Sequence, residues 1–152
     1  MAVENPVKVT RYGRHERTTH SDPAAAEVTA GDVITLSNGE VSPAGADFSQ
    51  SDRLLIAIDD RERGMEIGDT YAIGESVLYV DASGGAFNVL LAQGNTIDPA
   101  TDERLVVDGD GKVAPYDGAG GDVEEDVIFQ YDGDGAVSSP ADDFLAVPTV
   151  VN

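Results

Sequence analysis

The sequence predicts an all-β fold, a small β-barrel or a β-tulip or sandwich built from hairpins, with an extended arm at its N-terminus. Three observations carry that expectation. Residues 69–115 string together four short apolar runs separated by turn residues, with no helical period. Seventeen Gly and seven Pro argue against long helices, while 41% apolar residues is ample for two packed layers. Asn38-Gly39 and Asp108-Gly109-Asp110-Gly111 each fall between apolar runs, where residues that accept positive φ close a tight hairpin.

Taken in order, residues 1–28 read as an extended basic arm and residues 29–152 as one β domain. Val7 and Val9 suit a short strand, but residues 11–22 show no apolar period and are expected to lie extended until a partner orders them. Residues 31–36 and 40–42 form a hairpin about Asn38-Gly39. Residues 53–58, RLLIAI, have the length and continuity of a strand buried on both faces. Met65, Glu66 and Ile67 suit a short edge strand. Residues 76–81 and 86–92 come next as the first two strands of a meander, turned at Ser83-Gly84-Gly85. Residues 104–107 and 112–116 complete it as a second hairpin. Residues 127–131 make a further strand, residues 139–143 have room for one helical turn, and residues 144–151 close the domain. Pro148 places that last strand at an edge, because proline cannot donate to a ladder. The two hairpins also repeat one another. Gly31-Asp32-Val33-Ile34 followed by Asn38-Gly39-Glu40-Val41-Ser42-Pro43 matches Asp102-Glu103-Arg104-Leu105 followed by Asp110-Gly111-Lys112-Val113-Ala114-Pro115.

Charge is the most unusual bulk property. The formal net charge is −20, with 29 acids scattered along the chain against nine Lys plus Arg. Four of those cations, Lys8, Arg11, Arg14 and Arg17, lie in the first twenty residues beside Glu4 and Glu16, so that segment is +2 and the remaining 132 residues carry −22. A cationic arm on an anionic body suits docking onto an acidic partner. Scattered acids repel one another in dilute buffer, but the screening length falls from about 10 Å at 0.1 M salt to about 3 Å at 1 M, which points to a salt-rich setting. A nucleic-acid partner would need a basic face, and none is visible. The absence of Cys removes disulfides, thiolate metal sites and a Cys nucleophile. No apolar run approaches the ~20 residues needed to cross a bilayer, and no secretory leader is evident, so a soluble protein without a membrane partner is expected.

The candidate sites are few. Asp108-Gly109-Asp110-Gly111 and Asp132-Gly133-Asp134-Gly135 invite a calcium reading, but the spacing fails, with Lys112 and Ala136 standing where oxygen ligands are required. Turn chemistry accounts for both, and no metal or other cofactor is expected. His15 and His20 match no zinc pattern, and no Ser lies in a nucleophile elbow, so no catalytic residues are assigned and no enzyme is expected. The mixed-sign stretch Asp59, Asp60, Arg61, Glu62 and Arg63 suits ion pairs between subunits. Lys8, Arg11, Tyr12, Arg14 and Arg17 are the candidate contact residues of the arm.

Several motifs, in this order and spacing, resemble a known family. They are Thr29-Ala30-Gly31-Asp32-Val33-Ile34 with Asn38-Gly39, Val41 and Pro43; Ala72, Gly74-Glu75-Ser76-Val77; Leu91-Ala92 with Gly94; and residues 104–113 with Pro115. Together they are similar to the head-decoration, or capsid cement, proteins of tailed viruses, in particular the haloarchaeal type. Two stretches depart from that family's pattern: Glu124-Glu125-Asp126-Val127-Ile128, where an Ala/Gly-rich strand is usual, and the basic arm. The resemblance implies a β-barrel or tulip that sits as a homotrimer on the outside of an icosahedral shell of HK97-type major capsid protein. Such a protein is made in the host cytoplasm, ends on the virion surface and needs no catalysis. The alternative is a halophilic β-barrel module that binds a small molecule or sugar in an apolar pocket.

Overall fold

A computed structural model describes residues 9–12 and 18–152, with backbone alone at residues 11 and 12. In chain order its strands are β1 (Thr10–Tyr12), β2 (Thr19–Pro23), β3 (Val28–Thr29), β4 (Val33–Ser37), β5 (Glu40–Pro43), β6 (Leu55–Ala57), β7 (Thr70–Tyr71) and β8 (Ser76–Asp81). After these come β9 (Ala86–Leu91), β10 (Thr96–Ile97), β11 (Arg104–Gly109), β12 (Lys112–Pro115), β13 (Val127–Tyr131), β14 (Val137–Ser138) and β15 (Leu145–Val151). Helical geometry among the described residues is limited to 3-10 turns at Arg61–Arg63 and Glu124–Asp126. The all-β expectation holds.

Five strands, in the order β9-β12-β11-β13-β15, close into a barrel because β15 pairs back onto β9. That closing seam runs in register from Leu145 opposite Leu91 to Val150 opposite Ala86. β9 is buried at all six positions, which is why it sits deep in the assembly and touches β1, β12 and β15. A second sheet, β2-β8-β6-β4-β5, lies against the barrel. Its central strands obey the two-residue period of side chains. Val33, Ile56 and Val80 join Phe87, Leu91, Leu105, Val113 and Phe129 in one buried cluster. Their sequence neighbours Ile34, Leu55 and Tyr79 join Val28, Val41 and Tyr71 in another. RLLIAI is therefore buried on both faces, as its continuity predicts. Each such side chain contributes about 1.5–3 kcal/mol by leaving water.

The two repeated hairpins have matching registers. In the first, Ile34, Leu36 and Ser37 face Pro43, Val41 and Glu40. In the second, Leu105, Val107 and Gly109 face Pro115, Val113 and Lys112. Asn38 and Gly39 turn at φ 53° and 76°, and Asp110 and Gly111 at 49° and 73°, the positive angles of a primed two-residue turn. The second hairpin has one extra residue, Asp108, which the ladder absorbs as a bulge between Val107 and Gly109.

Several expectations are corrected. Residues 76–92 are not two rungs of one meander: β8 pairs with β2 and β6, while β9 belongs to the barrel, and the chain crosses between sheets through Ala82, whose N–H donates to Leu54 O. The closing strand is not an edge. β15 lies between β9 and β13, and Pro148 still takes part in the ladder through its carbonyl, which accepts from Asp132 N–H at 2.9 Å just where β13 ends. Residues 65–67 form no strand, since the chain turns at 67–68 and Gly68 N–H donates to Ala30 O, and residues 139–143 form no helical turn. The described part of the arm includes the strands β1 and β2: Val9, just before β1, is fully buried, and β2 pairs with β8 from Thr19 opposite Val80 to Pro23 opposite Ser76. An edge strand is held by ladder bonds, so Thr-His-Ser-Asp-Pro needs no apolar period to pair.

Candidate functional site

Gly111 lies where the two hairpins meet. Its N–H donates to Ala44 O, its carbonyl accepts from Val33 N–H, and Ala44 N–H donates to Val33 O, so the second turn is threaded into the base of the first hairpin. A Cβ at Gly111 would lie 2.7 Å from Asp32 Cβ and from Val33 O. This close approach brings Lys112 Nζ within 2.6 Å of Asp32 Oδ1, linking residues 80 apart in sequence. The Asp32 side chain is 1% exposed and that of Lys112 16%. Asp32 Oδ2 accepts from Thr29 N–H, and Nζ also donates to Asp110 O and lies 5.3 Å from the centre of the Phe144 ring. Burial pushes the Asp32 carboxyl up to about 6, against the pull of the Lys112 charge.

Half-open depressions flank this pair. One, of about 490 Å³, is lined by Ala92, Gln93, Asp108, Asp110, Lys112 and Phe144. The other, of about 440 Å³, is lined by Glu27, Thr29, Asp32, Ser42, Asp110 and Lys112. The first Asp-Gly-Asp-Gly stretch thus serves as bulge and turn. In the second, Tyr131 hydroxyl donates to Gly135 O at 2.9 Å.

The mixed-sign stretch organises another corner. Asp59, its side chain 5% exposed, accepts from Val9 N–H at 2.8 Å and from Arg61 Nε at 3.1 Å, so it fixes the first strand to the body. Asp60 accepts from Glu62 N–H and caps the 3-10 turn, leaving Glu62 exposed. Arg63 pairs with Glu75 and lies 5.8 Å from the Tyr71 ring centre. Asp59, Arg61 and Arg63 therefore make these ion pairs within the chain. Of the arm residues, Lys8, Arg14 and Arg17 lie outside the described residues, as does His15, and Arg11 and Tyr12 belong to β1 by their backbone. His20 stacks on Tyr79 with ring centres 5.4 Å apart.

Two clusters escaped sequence reasoning. Arg104 binds Asp102 and Glu124 and lies 4.2 Å from the Tyr116 ring centre, and its bonds hold the Asp102 carboxyl below its ordinary value. Arg53 binds Asp81, which Ser83 hydroxyl also holds low. All five Lys and Arg residues among residues 18–152 are thus paired with acids of the same chain. The signal was available: isolated cations among scattered acids find intrachain partners first.

No helix among the described residues is long and apolar enough to cross a membrane. No protein-family model matches the chain, and no curated protein does. Among solved structures, the chain is similar to the head fiber gp8.5 N base of bacteriophage phi29, at 14% identity and a TM-score of 0.57, across 90% of this chain and 94% of that one. At that identity the shared property is the fold.

Proposed function

We propose that this chain is a structural virion protein that decorates and stabilises the outside of an icosahedral capsid. The observation that carries the reading is the fold shared with a phage head fiber base across nearly the whole of both chains. The sequence motifs of the cement proteins support it independently, and supply its finer form: homotrimers seated on an HK97-type major capsid protein, in a salt-rich haloarchaeal setting. The role is mechanical, without catalysis or cofactor. A rigid barrel clamped to a second sheet suits it, because many weak contacts repeated over a lattice add up through multivalency. The −22 carried beyond the first twenty residues suits molar salt, where self-repulsion is screened. The basic arm, Lys8 to Arg17, is the element we assign to the neighbouring capsid surface.

Imaging purified virions with the chain labelled tests the assignment: density on the outer shell is expected, and particles that lack the chain altogether would sink it. Heads assembled without it should release DNA at a lower temperature than complete heads.

A further inference from the structure

We propose that Lys112 and Asp32 become joined by an intramolecular amide bond, a covalent staple between the barrel and the second sheet. This inference is independent of the virion reading. Nζ lies 2.6 Å from Asp32 Oδ1, which puts the amine and the carboxyl carbon near the roughly 3–3.5 Å separation of reacting atoms. The geometry is held from both sides. Asp32 Oδ2 is fixed by Thr29 N–H, and the backbone of Lys112 is positioned by the wedged turn residue Gly111 directly before it, while Nζ also donates to Asp110 O. A buried carboxylate with a half-buried ammonium is costly to hold out of water, and condensation removes both charges at once. Burial already makes the Asp32 carboxylate a readier proton acceptor than a free one. The depressions on either side of Lys112 give the leaving water an exit. The chain has no Cys, so no disulfide can perform this task.

The step balances without any co-reactant. One ammonium proton passes to the Asp32 carboxylate, and the freed amine attacks Cγ, forming the N–C bond. The C–O bond then breaks, and the hydroxyl leaves with a second ammonium-derived proton as water, while the third proton stays on the amide nitrogen. Charge is unchanged, since a cation and an anion become a neutral amide.

Intact mass spectrometry of the purified full-length chain tests this. The expected mass is that of the sequence less one water, and proteolysis should yield one branched peptide carrying residues 32 and 112. Aspartyl-Gly sequences such as Asp108-Gly109 can also lose water by forming a succinimide, so Lys112→Arg provides the control. It should restore the full mass if the staple is real, and a deficit that survives the substitution overturns the proposal. A wild-type chain at the full sequence mass overturns it as well, whether or not the variant folds.

Discussion

The hairpins β4–β5 and β11–β12 have the same turn geometry to within a few degrees, yet they occupy opposite situations. Gly39 has nothing within 4 Å of where a Cβ would stand, whereas Gly111 is wedged against Asp32 and Val33. Glu40 comes after the first turn at an exposed position, and Lys112 comes after the second with its amine at a buried carboxylate. The sequence difference behind this is one inserted residue, Asp108, taken up as a bulge. A bulge bends its strand and re-aims the residues beyond it. The same local code therefore produces a free tip in one copy and a structural key in the other, and the surroundings decide which.

The sharpest way to break that comparison is to place alanine at both turns. Gly111→Ala should cost about 4 kcal/mol or prevent folding, since overpacking against a backbone oxygen adds to the left-handed penalty, while Gly39→Ala should cost about 1 kcal/mol. Urea melts that give equal losses would refute the distinction. Lys112→Met comes next. In chains where the pair is ionic it leaves Asp32 buried and alone, and about 3 kcal/mol should be lost near neutral pH.

The pH dependence has a definite sign. The folded Asp32 carboxyl titrates at about 6 against 3.8 for the free group, so the folded state holds the extra proton between those values. Its contribution is therefore present at the acid end and is lost as pH rises from 3.8 towards 6, by about 3 kcal/mol at most. Asp32→Asn should remove that slope from stability curves, and so should amide formation. Asp81 and Asp102 act oppositely, because their lowered values mean that stability drains away as pH falls below the ordinary carboxylate range. A smaller effect is expected at Asp59→Ala, which strands Val9 N–H and should cost about 1–2 kcal/mol. Faster hydrogen exchange at Asn88 N–H, which donates to Val9 O, would report the loosening of the first strand.

Local features were legible and long-range pairings were not. Asn38-Gly39 and Asp108-Gly109-Asp110-Gly111 announced their turns because few residue types accept positive φ, though which Asp-Gly pair turns and which is the bulge needed the structure, and RLLIAI announced burial on two faces. The sheet to which each strand belongs depends on partners far along the chain. β8 and β9 are close in sequence and still part company, and β15 reads as an edge until the seam with β9 is seen. Pro148 misled because proline gives up only its N–H, and its carbonyl still joins the ladder by accepting from Asp132 N–H. At the site, Asp59 to Arg63 stood out by mixed charge, but its use in holding β1 required the fold. Asp32 stood out only as one member of the motif at residues 29–34, with nothing to mark it for burial, while Lys112 carried a faint sign as one of two lysines in a chain of 29 acids.

The seam of β15 has a mechanical consequence. That strand is bonded on one side to β9 over six facing pairs and on the other to β13 over three. A pull directed along its axis loads those rungs together, in shear, and must break them nearly at once. A pull across the axis would open them singly, like a zip. The barrel is thus strongest in one direction, and any surface that anchors it has a reason to respect that grain.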